Sequence, residues 1–189
     1  MKWFRLIAGE CKLIAAALVA GAMIHILATL YGANIAQSRA FTAIAGKLPV
    51  NQVMFADPVT PDNQPLPFFA PGSFYSYCRY DASMARVRLT ARLPGAGWSL
   101  ALYTPKGENF YYVSGTDARE TDIKLILVPP GNIFVDAAPA NTPVSGPVEP
   151  RVQLPEAEGL AILRAPIKGY AFRRQADEQR GTFRCRSLQ

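Results

Sequence analysis

The chain has one histidine, His25, and it lies inside an uncharged apolar run. The rest of the sequence therefore offers no imidazole. That excludes Ser-His-Asp and Cys-His nucleophiles and most zinc arrangements outside the run. Proline is absent before Pro49, and all 16 prolines follow from there. Charge is absent from Leu13 to Tyr31, LIAAALVAGAMIHILATLY, 19 positions without Asp, Glu, Lys or Arg. Cysteine is scarce at three positions, Cys11, Cys78 and Cys185. No nucleic-acid recognition motif, repeat, metal-ligand spacing or cofactor fingerprint is present, so no cofactor and no metal is expected.

The uncharged run is the strongest signal. About 20 apolar residues at ~1.5 Å each span the ~30 Å hydrocarbon core of a bilayer. Lys2, Arg5 and Lys12 precede it against Glu10. Short basic flanks stay in the cytoplasm, which predicts residues 1–12 inside, one span at 13–31 and the bulk outside, as in a signal-anchored protein of a bacterial inner membrane with a periplasmic domain. A cleaved secretory signal is the competing reading. Its apolar region is shorter, and Asn34-Ile35-Ala36 matches a small-residue cleavage site poorly. His25 reads as a neutral side chain facing lipid or a neighbouring subunit. Ala17, Gly21 and Ala28 offer a weak close-contact stripe through which the span would oligomerise.

The remaining length suits one domain with a sizeable core. Of the net charge of +6, three bases against Glu10 place +2 before the span and leave +4 beyond it. That mild excess favours anionic lipid headgroups, acidic polysaccharide or an acidic envelope protein as partner, and not nucleic acid. Cys78 and Cys185 fall on the outer side, where disulfides persist, so an even count suggests a bridge between them; two separate buried thiols are the alternative.

Residues 32–48 place Ile35, Phe41, Ile44 and Leu48 on a rough helical face, a stalk that Pro49 ends. Residues 49–72 hold six prolines with Val53, Met54, Phe55, Phe68 and Phe69 among them. They read as an extended connector packed over the domain, because a disordered linker carries fewer aromatics. Strand signals fill 73–189: Phe74–Tyr80, Arg86–Arg92, Trp98–Tyr103, Phe110–Ser114, Asp122–Val128, Asn132–Asp136, Arg151–Leu154, Gly159–Ala165 and Thr182–Ser187. Alternation turns Val87, Leu89 and Ala91 inward and Arg86, Arg88 and Arg92 outward. It sets Trp98, Leu100 and Leu102 opposite Tyr103. Pro105–Asn109 is hairpin-turn chemistry, Ala137–Pro150 a long loop, and 168–180 a short helix with Tyr170, Phe172 or Ala176 packed down. The expected fold is mainly β, a sandwich or jelly-roll-like domain with one N-terminal transmembrane helix and one short C-terminal helix.

The stretch FYSYCRYDASMARVRLTARLPGAGWSLALYTPKGENFYYVS runs from an aromatic strand ending in Tyr80-Asp81, through Trp98-Ser99-Leu100, to Gly107-Glu108-Asn109-Phe110. With the later VQLPEAEGLAILRAPI it resembles the bacterial "domain of unknown function 1254" family in its short, membrane-anchored form, over roughly residues 57–187. Longer members carry a second domain that these residues do not include. The resemblance implies a compact β domain and an exported location. It implies no reaction.

Candidate site residues divide by chemistry. Carboxylates at Asp81, Glu108, Asp117, Glu120 and Asp122 leave a paired-carboxylate glycosidase conceivable, but nothing pairs them by spacing. Asp81 either orients Arg79 or Arg88 at a cleft or accepts backbone N–H bonds where its strand turns. Tyr103 and Tyr111 are candidate aromatic contacts. Arg86, Arg88 and Arg92, with Arg173, Arg174, Arg184 and Arg186, are candidate contacts for an anionic partner, since guanidinium forms bidentate bonds with carboxylate and phosphate. The expectation is a non-catalytic binding or assembly module of the cell envelope; the alternative is a periplasmic enzyme, or enzyme accessory, acting on envelope carbohydrate or lipid.

Overall fold

A computed structural model describes residues 2–64, 66, 69–131 and 149–188. The chain divides into two compact units at Arg39 and Ala40, and each is described by itself. Helix α1 runs Lys2–Ala45. The N-terminal unit is its larger part. Ala and Leu, the strongest helix formers, dominate it. Within it Cys11–Gly32 is apolar and wholly uncovered by protein. These 22 residues extend ~33 Å. The Thr29 hydroxyl donates to the His25 carbonyl at 2.8 Å, which satisfies a polar group in an apolar stretch.

The second unit begins with the last turns of α1. The helix stops at Ala45, short of the expected stalk end, and Gly46 to Leu48 close it with bonds back to Thr42, Ile44 and Ala45. The connector then contributes an unanticipated strand, β1 (Val53–Phe55). It pairs antiparallel with β2 (Ser73–Asp81). Next come β3 (Val87–Leu93), β4 (Ser99–Tyr103), β5 (Asn109–Ser114), β6 (Thr121–Val128), β7 (Arg151–Gln153) and β8 (Glu158–Pro166). A 3-10 turn (Tyr170–Phe172), α2 (Arg173–Arg180) and β9 (Arg184–Ser187) finish the fold. The expected strand Asn132–Asp136 and nearly all of the 137–150 loop lie outside the described residues.

The strands form two sheets, ordered β1-β2-β8-β4-β5 and β7-β6-β3-β9. Every pairing is antiparallel except β6 with β7. The inward residues of both sheets share one core: Phe74, Cys78 and Tyr80 of β2, Val87, Leu89 and Leu93 of β3, Leu100 and Leu102 beside Trp98, and Ile123, Leu125 and Leu127 of β6. This is the β-sandwich that the alternation predicts, with Val87, Leu89 and Ala91 turned in and Arg88 and Arg92 turned out. The chain crosses between sheets at β2–β3, β3–β4, β5–β6, β7–β8 and, through α2, β8–β9.

A second cluster lies on the other face of the five-stranded sheet. Tyr75, Tyr77, Leu160 and Ile162 are covered by Phe41, Ile44 and Leu48 from the helix end and by Val59, Leu66 and Phe69 from the connector. Phe69 meets Tyr75 edge-on at 4.7 Å, and the Ala70 N–H donates to the Tyr75 hydroxyl at 3.3 Å. Of the four residues that helical spacing placed on one face, Phe41, Ile44 and Leu48 pack here, and the Ile35 side chain and Phe68 lie outside the described residues; Phe69 of the connector packs in, while Met54 and Phe55 stay exposed. By contrast, Tyr170 and Phe172 are exposed, and Ala176 alone of the three expected contacts packs down. A 3-10 turn at 170–172 swings both rings off the face that a continuous helix would bury.

Cys78 and Cys185 form a disulfide, with Cα atoms 6.4 Å apart across a separation of 107 residues. It joins β2 of one sheet to β9 of the other, and both cysteines are buried. Gly159 has a distinct reason. A Cβ there would collide with the Tyr80 phenol and the Tyr103 carbonyl, so glycine opposite Tyr80 lets the ring lie flat across β8. The Cys78→Ala/Cys185→Ala variant should lose about 4–5 kcal/mol, because loop-closure entropy grows with the length of the closed loop. Urea unfolding of the oxidised chain and the double variant checks this; a difference below about 1 kcal/mol would show that the bridge constrains little.

Candidate functional site: a basic sheet face

The outward residues of the four-stranded sheet gather six cations on one face. Register places Arg151, Ile126, Arg88 and Arg186 side by side across β7, β6, β3 and β9. The next row holds Lys124, Thr90 and Arg184, and the next Asp122 and Arg92. Neighbouring positions within a row stand ~4.8 Å apart from strand to strand, and successive rows lie ~6.7 Å apart along the strands. Alternation produces this, because each basic residue follows or precedes an inward apolar one.

Part of the charge is neutralised locally. Arg88 Nε donates to Glu149 Oε2 at 3.0 Å. Arg92 Nε donates to Asp122 Oδ1 at 3.0 Å and lies 3.5 Å from Glu120. The Asp122 hydrogen bond, with Glu120 adding, raises the Arg92 pKa further above its ordinary value. Arg184 Nη1 donates to the Gly181 and Phe183 carbonyls. Arg186 and Lys124 have no carboxylate partner among the described residues. Among the described residues, Arg88 and Arg92 are paired with Glu149, Glu120 and Asp122, while Arg186 and Lys124 keep their charge uncompensated. Exposed pairs of this kind are weak, about 0–1 kcal/mol each, and an incoming polyanion can displace them.

The structure divides the arginines that sequence reading grouped together. Arg88, Arg92, Arg184 and Arg186 share the sheet face; Lys124 and Arg151 join them, and neither was singled out from sequence. Their parity in alternating strands was a usable signal, but the cross-strand register that aligns them was not. Arg86 sits just before β3, half-buried. Arg173 and Arg174 lie on α2, beside a separate cleft of about 410 Å³ that includes Asp57 and Asp177. Arg174 reaches Glu178 at 3.5 Å, and Arg173 stands 5.9 Å from the Phe74 ring centre. Between them and the core is Arg180, only 8 % exposed. Its guanidinium lies 4.2 Å from the Phe74 ring centre and 5.5 Å from that of Phe55. It donates to the Ala56 carbonyl and to Asp177, both at 2.6 Å. These contacts, with a further bond to the Tyr75 carbonyl, make Arg180 the pin that fixes α2 to the end of β1 and to β2.

The family-like motif residues separate to the two ends of the sandwich. Tyr80, Asp81, Gly107 and Asn109 are at one end. The Tyr80 phenol donates to the Tyr103 carbonyl at 3.2 Å, and burial, with Glu156 and Glu158 adding, pushes its pKa well above the ordinary value. Asp81 Oδ1 accepts the Ser83 N–H at 2.9 Å and the Ser83 hydroxyl at 2.6 Å. It does not orient Arg79, which pairs with Glu158 at 2.5 Å, or Arg88. Asn51, at φ 56°, clamps the same turn by accepting the Asp81 N–H at 2.9 Å and donating to its carbonyl at 2.9 Å. Gly107, at φ 82°, turns the β4–β5 hairpin, and Asn109 donates to the Leu102 and Tyr111 carbonyls. Trp98 is at the other end, and Phe110 packs half-buried on the core. Asp81, Gly107 and Asn109 thus act as turn-formers, and Tyr80 as a core residue. Tyr111 is half-buried, and the exposed ring of the hairpin is Tyr112. No group of three or more potential metal ligands occurs among the described residues.

No family model and no curated protein matches the sequence. Among solved structures, the chain is similar to the VPA0106 protein from Vibrio parahaemolyticus, at 14 % identity and a TM-score of 0.57, over 85 % of this chain and 37 % of that one. An uncharacterised protein from Burkholderia cenocepacia aligns at 10 % identity and a TM-score of 0.44, over 80 % of this chain and 39 % of its own. The chain thus spans under two-fifths of each of these proteins. The Vibrio likeness establishes a shared fold.

The hydrogen bonds from Ser83 lower the Asp81 pKa, with the Arg79 charge a smaller cause. A depressed carboxylate stabilises the fold fully above its unfolded pKa, near ~4, and loses that contribution as pH falls through the folded value. The stability gap between the wild type and Asp81→Asn should therefore be constant above about pH 5 and close progressively below about pH 4. Thermal melts across pH 2–7 test this; a gap that persists unchanged at the acid end would assign the effect to packing.

Proposed function

We propose that this chain is a single-pass membrane protein that presents its β-sandwich outside the cytoplasm as a non-catalytic binding or assembly module of the bacterial cell envelope. The observation that carries the reading is the Cys11–Gly32 segment, a helix of membrane-spanning length whose apolar side chains no part of the protein covers. Lipid is the medium that removes such a surface from water. Lys2, Arg5 and Lys12 ahead of it favour an inside N-terminus. The Cys78–Cys185 bridge suits an oxidising compartment on the far side. The resemblance to the "domain of unknown function 1254" family points the same way.

In this reading the four-stranded sheet's outer face contacts an anionic partner. Acidic polysaccharide, anionic headgroups and an acidic protein surface all present the carboxylates or phosphates that guanidinium binds. Catalysis has less support. Four of the five candidate carboxylates are engaged in local structure: Asp81 holds Ser83, Asp117 holds the Ala96 N–H, and Glu120 and Asp122 flank Arg92; Glu108 sits in the β4–β5 turn.

The test is polyanion binding by the full chain in nanodiscs of zwitterionic lipid, with polygalacturonate as probe. Binding should weaken with added salt, and Lys124→Glu/Arg186→Glu should weaken it about tenfold, equivalent to 1.4 kcal/mol. Salt-independent binding, or equal affinity in the variant, would contradict the assignment of this face.

A further inference from the structure

Helix α2 closes the Trp98 end of the sandwich, and beside it lies a cleft of about 240 Å³. Its walls bring together Trp98, Asp117, Lys168, Phe172, Gln175 and Gln179, from three separate stretches of the chain. Trp98 is only 5 % exposed. Its indole N–H has no partner among the described residues. The enclosed, unpartnered polar atoms among the described residues are Ser76 Oγ and Tyr77 Oη, so the indole donor is open to solvent. The side-chain amides of Gln175 and Gln179 bond to no described residue. Asp117 is fixed: its Oδ1 accepts the Ala96 N–H at 3.0 Å and stands 3.7 Å from Lys168 Nζ. The Phe172 ring is 53 % exposed, turned out of the core by the 3-10 turn that carries it.

The geometry points to a binding site for one ring of a neutral saccharide. Each feature selects that class. Asp117 and Lys168 cancel each other, so the cleft holds no net charge for an anion or cation to meet. The free groups mix donors (indole N–H, two amide NH₂) with acceptors (two amide carbonyls). Hydroxyls, which both donate and accept, are the groups that match such a mixture. An apolar ligand would strand those groups at ~1–3 kcal/mol each. The exposed Phe172 face offers an apolar platform, and a pyranose presents a C–H face as well as hydroxyls. The volume lies below the ~300–1,000 Å³ of drug-sized sites and suits a single ring. The site is independent of the basic sheet face, and it requires no catalysis.

The test follows Trp98 emission in the full chain in detergent, with Trp3→Phe leaving Trp98 as the lone tryptophan. The probes are galactose, mannose, maltotriose, cellotriose and the trimer of N-acetylglucosamine. At least one should change the emission saturably by ~10 mM, as a Kd of ~1 mM or tighter demands. Phe172→Ala and Gln175→Ala/Gln179→Ala should each weaken that binding about tenfold, while the unfolding midpoint stays at the parent value. Lys124→Glu/Arg186→Glu should leave it unchanged, which separates this site from the polyanion face. No emission change with any probe, or binding that survives both cleft variants, would overturn the proposal.

Discussion

Strand β2 carries large side chains on both faces, and the rest of the domain is arranged to cover them. Phe74, Cys78 and Tyr80 point into the sandwich; Tyr75 and Tyr77 point the other way. One opposing sheet satisfies only the first set. The second set needs another layer, and the last turns of α1 with the proline-rich connector supply it. Antiparallel sheets commonly leave one face to water. Here that option is closed for β2, which is why residues 40–72 are part of the fold rather than a tether. Three further ties fix this strand: the disulfide to β9, the clash-free fit of Tyr80 over Gly159, and Arg180, whose guanidinium binds the Ala56 carbonyl of the connector while covering the Phe74 ring.

Local pattern made much of this legible. Alternation in Val87–Leu93 and Ser99–Tyr103 placed inward and outward residues correctly, and the turn residues at 105–109 marked the hairpin. Helical spacing found Phe41, Ile44 and Leu48. The missing pieces depend on long-range pairing. Three residues of β1 become a strand only because β2 offers a free edge, and prolines on both sides mask the signal. The outward turn of Tyr170 and Phe172 follows from a 3-10 geometry that residue periodicity does not encode. Arg180 looks like any surface cation until Asp177, Ala56 and two aromatic rings are brought around it. The basic face had the same difficulty: its residues were visible one strand at a time, and the register that aligns Arg151, Arg88 and Arg186 was not.

Two surfaces result, with opposite character. The four-stranded sheet presents surplus positive charge spread over a flat face, suited to many weak contacts along a polymer or a membrane. The cleft at the α2 end presents a few unpaired donors and acceptors around one exposed ring, suited to a single small group. A module that holds an extended acidic partner and a neutral sugar at once is consistent with the proposed place in the envelope. The shared fold with the Vibrio protein supports the architecture and leaves both surfaces to be judged on this chain's own residues.

The proposed anchoring and orientation decide which partners the domain can meet. Met84, 96 % exposed in the turn between β2 and β3, is a suitable reporter. A Met84→Cys variant in a Cys11→Ser background, expressed in bacteria and treated as intact spheroplasts with a membrane-impermeant maleimide, measures the side directly. Labelling of intact spheroplasts, equal to that after lysis, is the predicted result. Labelling that appears only after lysis would place the sandwich in the cytoplasm and contradict the account.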